Sequence, residues 1–471
     1  MASKERGAYV DIMAVQKEVT GSCILGVAKF QNETTTRFII DCGMFQEEKY
    51  SQYNSDFPFD PSNIDFCIAT HNHVDHTGRL PLLQKQGFTK KIYVSKPTSY
   101  LLPLALEDSY KVVKEMAKRN FVSPLYSSNN VTDTISQVKA VEYGVSYQVS
   151  ENIKLTMFKN GHLPGAAIVL VQISSSNCDD INILFTGDYN NKNLFLDVPD
   201  LPDWVLELPL TIVQESTYGT TNSSTIEKCF RRNVAKCIEN GGSVVIPAFA
   251  LGRYQEILYE FKCMQKEGVL PLDVEIFAAG NLAHRYTDLF VKGKLDIKDE
   301  MLDFLPENLN FVGKHQHQDV MNSAKSKIVL TTSGAGTYGP APQYIQHYIR
   351  QPNALIHFTG FTPEGTLGAR LKNAQKGEVV SVAGLFPVKR ADVQYTTEFS
   401  AHAKADEMID FLKQFKNLKL VLVNHGEMSV QDLFAERVVR EVDPKNVGIL
   451  GRDYFYRINP YGLVKTLSTK F

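Results

Sequence analysis

The sequence contains no segment that could cross a membrane, and it uses cysteine sparingly. No run among its 471 residues approaches the ~20 consecutive apolar residues of a membrane span. Residues 1–7 lack the apolar core of a signal peptide. The seven cysteines are odd in number, include no Cys-x-x-Cys pair and mostly lie in apolar segments. These absences favour a cytoplasmic protein with reduced cysteines, although Cys42 beside Asp41 leaves a thiolate ligand or nucleophile as an alternative.

The sequence also lacks a strong charge of either sign. Its formal net charge is -2, with 22% charged and 43% hydrophobic residues. There is no internal repeat, low-complexity tract or long charged block, so two to three folded domains are expected. Residues 206–392 contain 20 Lys and Arg against 19 Asp and Glu, so this part lacks the basic excess common in nucleic-acid-binding modules.

Potential metal ligands are most concentrated in the eight residues from His71 to Gly78, His-Asn-His-Val-Asp-His-Thr-Gly. An apolar run over residues 64–70 precedes them and predicts a buried strand. In extended chain His71 and His73 point the same way and can share one metal ion, while Asp75 and His76 on the following turn can reach a second. Imidazole and carboxylate ligands suit zinc, so this stretch predicts a metal site.

Three further candidates also follow apolar runs that predict strands. They are Asp41 after Phe38-Ile-Ile, His162 after residues 152–158, and Asp188 after residues 181–186. Singly, the two aspartates could be turn residues and the histidine a loop residue. Their shared position at strand ends indicates instead that separate loops converge on one site.

These motifs resemble those of the β-CASP branch of the metallo-β-lactamase-fold hydrolases. That branch includes ribonuclease J, bacterial and archaeal RNA-processing nucleases, and the nuclease of pre-messenger-RNA 3′-end cleavage. Besides the motifs above, the resemblance depends on Glu215 in Glu-Ser-Thr-Tyr-Gly, His402 in Phe-Ser-Ala-His and His425 in Val-Asn-His-Gly-Glu. It extends over nearly the whole chain.

The resemblance implies an α/β fold in which a metallo-β-lactamase αββα sandwich is interrupted by an inserted β-CASP α/β domain. The expected boundaries place the first part of the sandwich in 1–208, the β-CASP domain in 209–392 and the second part of the sandwich in 393–471. Within the insert, a capping-box pattern at Ser224 and Glu227 predicts a helix over 224–240. Strands and helices alternate from there to Gly360, which predicts a parallel sheet. An active site at the junction of two domains would follow.

The resemblance also implies two Zn²⁺ ions per chain and a role for each motif. His71, His73 and His162 would hold one zinc, Asp75, His76 and His425 the other, with Asp188 bridging and Asp41 orienting a ligand histidine. A hydroxide shared by the metals would attack the phosphodiester. His402 would donate a proton to the leaving oxygen, with Glu215 orienting it.

Single-stranded RNA is the substrate that the resemblance implies, since RNA-directed members carry histidine at the position of His425. Cleavage by endonuclease or 5′-3′ exonuclease action, or both, is compatible with the motifs, and family habit suggests a homodimer. Four residues are candidate substrate phosphate contacts, namely Arg253, Ser333, Thr366 and Arg370. Both arginines could equally be structural ion-pair residues.

Three other functions are alternatives to a ribonuclease. One is a hydrolase acting on DNA or another ester, and another is a non-catalytic RNA-binding homologue, although all seven ligand positions are filled here. The third is nicotinamide binding, suggested by the G-x-G-x-x-G pattern of residues 334–339. The expected acidic residue at the end of the next strand is absent, because residues 354–358 lead into Thr359-Gly360-Phe361.

Overall fold

The computed structural model describes residues 8–16, 18–175, 178–360, 362 and 364–468, and the elements below are those of these ranges. The chain forms two compact units, one comprising residues up to Ser224 and from His402 onward, the other Thr225–Ala401. The boundaries expected from sequence were 208/209 and 392/393. Within the described ranges, no helix has both the length and the apolar composition needed to cross a membrane.

The first unit contains two mixed β-sheets. The first sheet has the strand order β21-β20-β1-β2-β3-β4-β5-β6. Its strands are β1 (Tyr9–Ala14), β2 (Ile24–Lys29), β3 (Thr35–Ile40), β4 (Phe66–Ile68), β5 (Ile92–Ser95), β6 (Val138–Val141), β20 (Tyr454–Asn459) and β21 (Gly462–Ser468). The second sheet has the order β19-β18-β11-β10-β9-β8-β7. Its strands are β7 (Ser146–Ser150), β8 (Ile153–Lys159), β9 (Ala167–Ser175), β10 (Cys178–Phe185), β11 (Leu210–Glu215), β18 (Leu418–Asn424) and β19 (Val447–Ile449).

The main core of this unit lies between the two sheets. Alternate residues of β10, Ile181, Ile183 and Phe185, are buried there together with Phe38 and Phe66 of the first sheet. The two phenylalanine rings stack with their centroids 5.4 Å apart. Successive strand residues point to opposite faces of a sheet. The residues that alternate with those of the main core therefore form a further core on the outer face of each sheet.

Helices cover both outer faces. Helices α2, α3 and α4 pack against the first sheet, and helices α5, α12 and α13 pack against the second. The helices of the unit are α1 (Val74–Thr77), α2 (Leu80–Lys85), α3 (Lys96–Arg119), α4 (Ser128–Gln137), α5 (Asp203–Glu207), α12 (Ala405–Lys413) and α13 (Met428–Glu441). Short 3₁₀ helices span Glu48–Asn54, Pro61–Asn63 and Ser223–Thr225. The unit is therefore the expected αββα sandwich.

The second unit is built on one parallel sheet with the order β14-β13-β15-β12-β16-β17. Its strands are β12 (Val244–Pro247), β13 (Glu275–Ala279), β14 (Leu309–Val312), β15 (Lys327–Thr331), β16 (Leu355–Phe358) and β17 (Asp392–Tyr395). Its helices are α6 (Phe230–Glu239), α7 (Arg253–Lys266), α8 (Asn281–Val291), α9 (His317–Asn322), α10 (Ala341–Tyr348) and α11 (Leu367–Asn373), with a 3₁₀ helix at Asp299–Met301. The predicted strand–helix alternation and parallel sheet are confirmed.

One local prediction was wrong. The capping-box pattern placed a helix start at Ser224, but α6 begins at Phe230. The backbone N–H groups of Cys229 and Phe230 instead donate to Glu398, at 3.2 and 2.8 Å. A carboxylate distant in sequence therefore caps this helix, and the local signal at Ser224 and Glu227 did not set its start.

Candidate metal centre

The metal-ligand candidates all follow strands of the first unit. His71 and His73 follow β4, and α1, which carries Asp75 and His76, begins after His73. Strands β8, β10 and β18 lead into the loops that carry His162, Asp188 and His425, respectively. Strands β10, β11 and β18 run parallel, so the ends of these three strands lie at the same edge of the sheet.

The structure gathers seven of these side chains into two clusters. Each cluster has ligand atoms within 4.8 Å of one another. One cluster consists of His71, His73, His162 and Asp188, and the other of Asp75, His76 and His425. Between the clusters, Asp188 Oδ2 lies 3.3 Å from His76 Nε2, and Asp188 Oδ1 lies 3.2 Å from His425 Nδ1. Asp188 therefore lies between the two histidine groups.

The donor atoms of the first cluster are suited to a cation. His71 is fully buried, its Nδ1 lies 3.1 Å from Thr70 Oγ1, and its Nε2 has no hydrogen-bond partner among the described residues. The Nε2 atom of His162 lies 3.3 Å from Nδ1 of His73. Buried nitrogen and carboxylate oxygen atoms that face one another at such distances form the mixed donor set that zinc accepts.

Asp41 orients the second cluster without belonging to it. Its Oδ2 lies 2.7 Å from Nδ1 of His76, while its Oδ1 accepts a 2.7 Å hydrogen bond from the backbone N–H of Thr70. Asp41 is buried and has a backbone φ of 62°. The contact with Nδ1 directs Nε2 of His76 toward His425, whose Nε2 is 3.2 Å away. Such a carboxylate partner fixes the tautomer of a ligand histidine.

The environment also sets the protonation states. Burial lowers the pKa of His71 well below its usual value and that of His73 to about 4, so both rings favour the neutral form that binds metals. Burial acts in the same direction on His76, but the carboxylates of Asp188 and Asp41 outweigh it and hold its pKa well above normal. Burial opposes ionisation of Asp188, yet the neighbouring histidines, His425 first, keep its pKa well below normal.

A histidine–glutamate pair lies beside the clusters. His402 Nδ1 is 2.9 Å from Glu215 Oε1, and His402 Nε2 is 4.0 Å from Asp188 Oδ2. Burial lowers the pKa of His402, but the Glu215 carboxylate and then Asp188 outweigh it, so the net shift is upward. The backbone N–H of Ala403 donates to the carbonyl of Tyr189 at 2.8 Å. The arrangement places a protonatable imidazole next to a carboxylate-rich, histidine-rich centre.

Comparisons with known proteins show the family to which the chain belongs. Three family models match in succession, the metallo-beta-lactamase superfamily over residues 30–200, the Beta-Casp domain over 254–371, and the Zn-dependent metallo-hydrolase RNA specificity domain over 387–449. A ribonuclease of Thermus thermophilus is 30% identical over 421 residues, 87% of this chain and 91% of that protein. The chain belongs to the β-CASP branch of the metallo-β-lactamase superfamily. It is therefore a metal-dependent hydrolase.

Other relatives of this β-CASP protein have names that refer to transcription termination and to cleavage and polyadenylation. The transcription termination factor FttA of Methanocaldococcus jannaschii is 27% identical over 463 residues, 92% of this chain and 70% of that one. The cleavage and polyadenylation specificity factor subunit 3-II of Arabidopsis thaliana is 26% identical over 454 residues, with the same coverages of 92% and 70%.

Sequence reasoning missed residues that hold the metal-ligand loops of this β-CASP protein in place. Asn160 accepts the backbone N–H of His162 at 2.9 Å and donates to the carbonyl of Asp188 at 3.0 Å, so one side chain joins two loops. Thr217 Oγ1 lies 3.2 Å from Nδ1 of His425. The only sequence signal for either residue is its position near a motif residue, because its partners are distant in sequence.

The four candidate phosphate contacts all have partners within the second unit. The guanidinium of Arg253 is buried and donates to the carbonyls of Thr359 and Phe399, and its Nε donates to Glu256 at 3.0 Å. These contacts fit the alternative that Arg253 is a structural ion-pair residue. The remaining three have other partners: Ser333 Oγ accepts from the N–H of Tyr338, Thr366 Oγ1 caps α11, and the exposed Arg370 donates to the carbonyl of Gly365.

Proposed function

We propose that this protein is a zinc-dependent ribonuclease that hydrolyses the phosphodiester bonds of single-stranded RNA. The observation that carries the proposal is the convergence of seven ligand-type side chains into two adjoining clusters, with His402 and Glu215 next to them. Supporting it, the C-terminal part of the chain matches a model described as a Zn-dependent metallo-hydrolase RNA specificity domain. Among its relatives are proteins named as a ribonuclease and as a cleavage and polyadenylation factor subunit.

Each cluster would hold one zinc ion. His71, His73 and His162 would bind one, the cluster of Asp75 would bind the other, and Asp188 would contact both. When bound, such ions lower the pKa of a water molecule toward neutrality and stabilise the negative charge that develops on the phosphate. Asp41 would keep Nδ1 of His76 engaged, so that Nε2 remains directed at the metal.

His402 would act as the general acid. Glu215 accepts from Nδ1, which leaves Nε2, on the side of Asp188, to deliver a proton to the departing ribose oxygen. The Glu215 and Asp188 carboxylates raise the pKa of His402, which favours the protonated ring that this role requires. General acid catalysis of this type contributes roughly 100-fold to 10,000-fold in rate.

The test combines metal analysis with cleavage by matched variants. Protein purified without chelator should contain about two zinc ions per chain. Wild type should cut a single-stranded RNA oligonucleotide and leave the DNA of the same sequence intact. His402→Ala should cut RNA at least ~100-fold more slowly while retaining its zinc. His315→Ala, which removes an exposed histidine of the second unit, serves as the control.

Each alternative function would produce a different result. Cleavage of the DNA at the same rate as the RNA would favour the broader hydrolase function. Zinc binding without cleavage of 5′-phosphate or 5′-hydroxyl RNA would favour a non-catalytic RNA-binding homologue. Labelling the RNA separately at its 5′ and 3′ ends distinguishes internal cuts from 5′-3′ trimming. If His402→Ala cut RNA at the wild-type rate, His402 would not be the general acid.

A further inference from the structure

A buried lysine lies two residues after His402, and the proposed chemistry does not use it. Lys404 is 3% exposed and directly precedes α12. Its Nζ atom lies over the ring of Tyr218, 3.5 Å from the ring centroid. Burying an ammonium group is costly unless other groups stabilise its charge, and the face of an aromatic ring does so more effectively away from water. This contact therefore holds the two side chains firmly together.

Tyr218 connects this lysine with the proposed general acid. The tyrosine lies three residues after Glu215 and is half-buried. Its ring centroid is 6.0 Å from that of His402, and the planes of the two rings meet at 61°. Rings that meet edge to face attract one another at centroid separations of about 4.5–7 Å. Tyr218 therefore contacts Lys404 through the face of its ring and also packs against the imidazole of His402.

The segment that follows β11 and the start of α12 lie side by side. The backbone N–H of Ala405 donates to the carbonyl of Thr221 at 2.9 Å. The backbone N–H and the hydroxyl of Ser223 donate to the carboxylate of Asp406 at 3.1 and 3.0 Å. The lysine–tyrosine contact is one of several that join these two segments, and it is close in sequence to the general acid.

The hydrogen bond with Glu215 does not by itself fix the imidazole of His402. It holds Nδ1 at 2.9 Å, but a ring held at one atom can still turn about that atom and displace Nε2. Contact with a neighbouring ring restricts this rotation. The ring of His162 lies near, with its centroid 4.7 Å away, but this histidine is a proposed metal ligand. Tyr218 supplies a contact from outside the metal clusters.

The charge of Lys404 favours a role in position over a role in proton retention. Burial and, to a smaller extent, Lys404 lower the pKa of His402, whereas the carboxylates of Glu215 and Asp188 raise it and prevail. A cation beside a group that must carry a proton is unfavourable on charge alone. The contact of Lys404 with the tyrosine ring gives a different reason for its presence.

We infer that Lys404 and Tyr218 are positioning residues for His402, an inference that rests on the ribonuclease function proposed above. The ammonium group holds the ring of Tyr218, and this ring holds the imidazole with Nε2 on the side of Asp188. In the reaction a water oxygen forms the new bond to phosphorus, and the bond from phosphorus to the departing ribose oxygen breaks. The departing oxygen takes the proton of Nε2, and a proton released by the water restores the imidazolium.

Matched substitutions test each of the two residues. Lys404→Met removes the charge and keeps the length of the side chain, and Tyr218→Leu removes the ring. Each should lower kcat for RNA at least about tenfold with KM within about threefold, because displacing a catalytic group by ~1 Å can cost about 100-fold in rate. Lys404→Arg and Tyr218→Phe, which keep a cation and an aromatic ring, should recover most of the rate. Lys413→Met, at an exposed lysine of α12, is the control.

A change of leaving group shows whether the lost step is proton donation. In a matched RNA, sulfur replaces the ribose oxygen that departs, and a thiolate leaves as an anion with little help from a general acid. On this RNA, Lys404→Met and Tyr218→Leu should each cut within about threefold of wild type. On ordinary RNA, adding Lys404→Met to His402→Ala should cause no further loss, because both changes remove the same proton donation.

Histidine NMR signals report on the imidazole without any cleavage. In zinc-loaded protein with ¹³C-labelled histidine, the signal that disappears in His402→Ala should be single and sharp in wild type. In Tyr218→Leu it should broaden or divide, since a ring released from its contact samples several orientations. Zinc content and melting temperature are measured on the same samples. Should Lys404→Met fail to fold, the two variants of the half-buried Tyr218 still decide the question.

Contrary results have distinct meanings. An unchanged kcat in both Lys404→Met and Tyr218→Leu, a change confined to KM, or equal losses on the oxygen and sulfur RNAs would overturn the inference. Loss in Lys404→Met with Tyr218→Leu at the wild-type rate would show that the charge acts without the ring, which also overturns it. An unaltered His402 signal in Tyr218→Leu would do the same. If wild type cuts no RNA, the ribonuclease function fails, whereas a His402 signal that broadens in Tyr218→Leu would still support the positioning.

Discussion

The Nδ1 atom of His402 lies 2.9 Å from Oε1 of Glu215, and the glutamate is itself fixed by the main chain. Glu215 accepts the backbone N–H of Tyr189 at 3.1 Å and that of Thr217 at 2.9 Å. These hydrogen bonds hold the carboxylate in position beside His402, whose pKa it raises. The protein therefore sets both the position and the charge of the proposed general acid.

Glu215→Gln should shift the pH–rate profile in a definite direction. The Glu215 carboxylate raises the pKa of His402, so the amide should lower it. A general acid works only while protonated, so its contribution is present below its pKa and lost as pH rises through it. In a plot of kcat against pH, the activity of Glu215→Gln should fall at a lower pH on the alkaline side than that of wild type. Its zinc content should be unchanged. A limb that stays in place would show that another group supplies the proton.

Asp41→Asn should weaken zinc binding while the fold remains. The Oδ2 atom of Asp41 engages Nδ1 of His76 at 2.7 Å, and loss of such a partner typically costs 10-fold to 100-fold in metal affinity. Competition against a calibrated chelator measures this, and the control is Asp65→Asn, which changes an exposed aspartate between the 3₁₀ helix at Pro61–Asn63 and β4. Equal zinc affinities in Asp41→Asn and wild type would refute the orienting role.

The sequence pointed to the side chains that form the two candidate clusters, but it did not point to the residues that support those clusters. The ligand candidates could be found because four lie within six consecutive residues and the others directly follow apolar runs that predict strands. The residues that hold them, such as Asn160 and Thr217, carry no local signal because their partners are far away in the chain. The start of α6 was misplaced for the same reason, since Glu398, and not the nearby Glu227, binds its first N–H groups.

Removal of metal should destabilise the protein as well as inactivate it. The clusters bring buried donors such as His71 Nε2 and the Asp188 carboxylate close together, and a ligand that binds only the folded state stabilises it. At free zinc 1,000 times Kd the gain is about 4 kcal/mol per site. Melting temperature should fall on chelation and recover with added zinc. A melting temperature that does not respond to zinc would argue against binding at these clusters.

Cys42 should prove dispensable for catalysis. Its side chain is fully buried, and burial raises the pKa of its thiol well above the usual value, so little thiolate forms. Cys42→Ala should keep its zinc and cleave RNA within a few-fold of wild type. In the folded protein a thiol reagent should leave Cys42 unmodified, as judged by mass spectrometry. Loss of zinc in Cys42→Ala would instead support the alternative that the Cys42 thiolate is a metal ligand.

Gly43→Ala should disrupt the metal centre through the backbone alone. A Cβ atom on Gly43 would lie 1.5 Å from the carbonyl oxygen of Asp75. The N–H of the preceding residue, Cys42, donates to the carbonyl of His76 at 2.7 Å, so the two chain segments are held in direct contact. Since neither backbone can yield without moving the other, the added methyl group must displace the segment that carries Asp75 and His76. Zinc content and cleavage should both fall sharply.

Gly144→Ala provides the matched control for that prediction. Unlike Gly43, Gly144 adopts a positive φ, 73°, and a Cβ there would meet nothing within 4 Å. Its cost should therefore be limited to about 1–2 kcal/mol of backbone strain, with zinc content unchanged. If both alanine variants lose stability equally and both retain zinc, close packing at Gly43 cannot be what positions the Asp75 segment. If only Gly43→Ala loses zinc, the approach of the two backbones is itself part of the metal site.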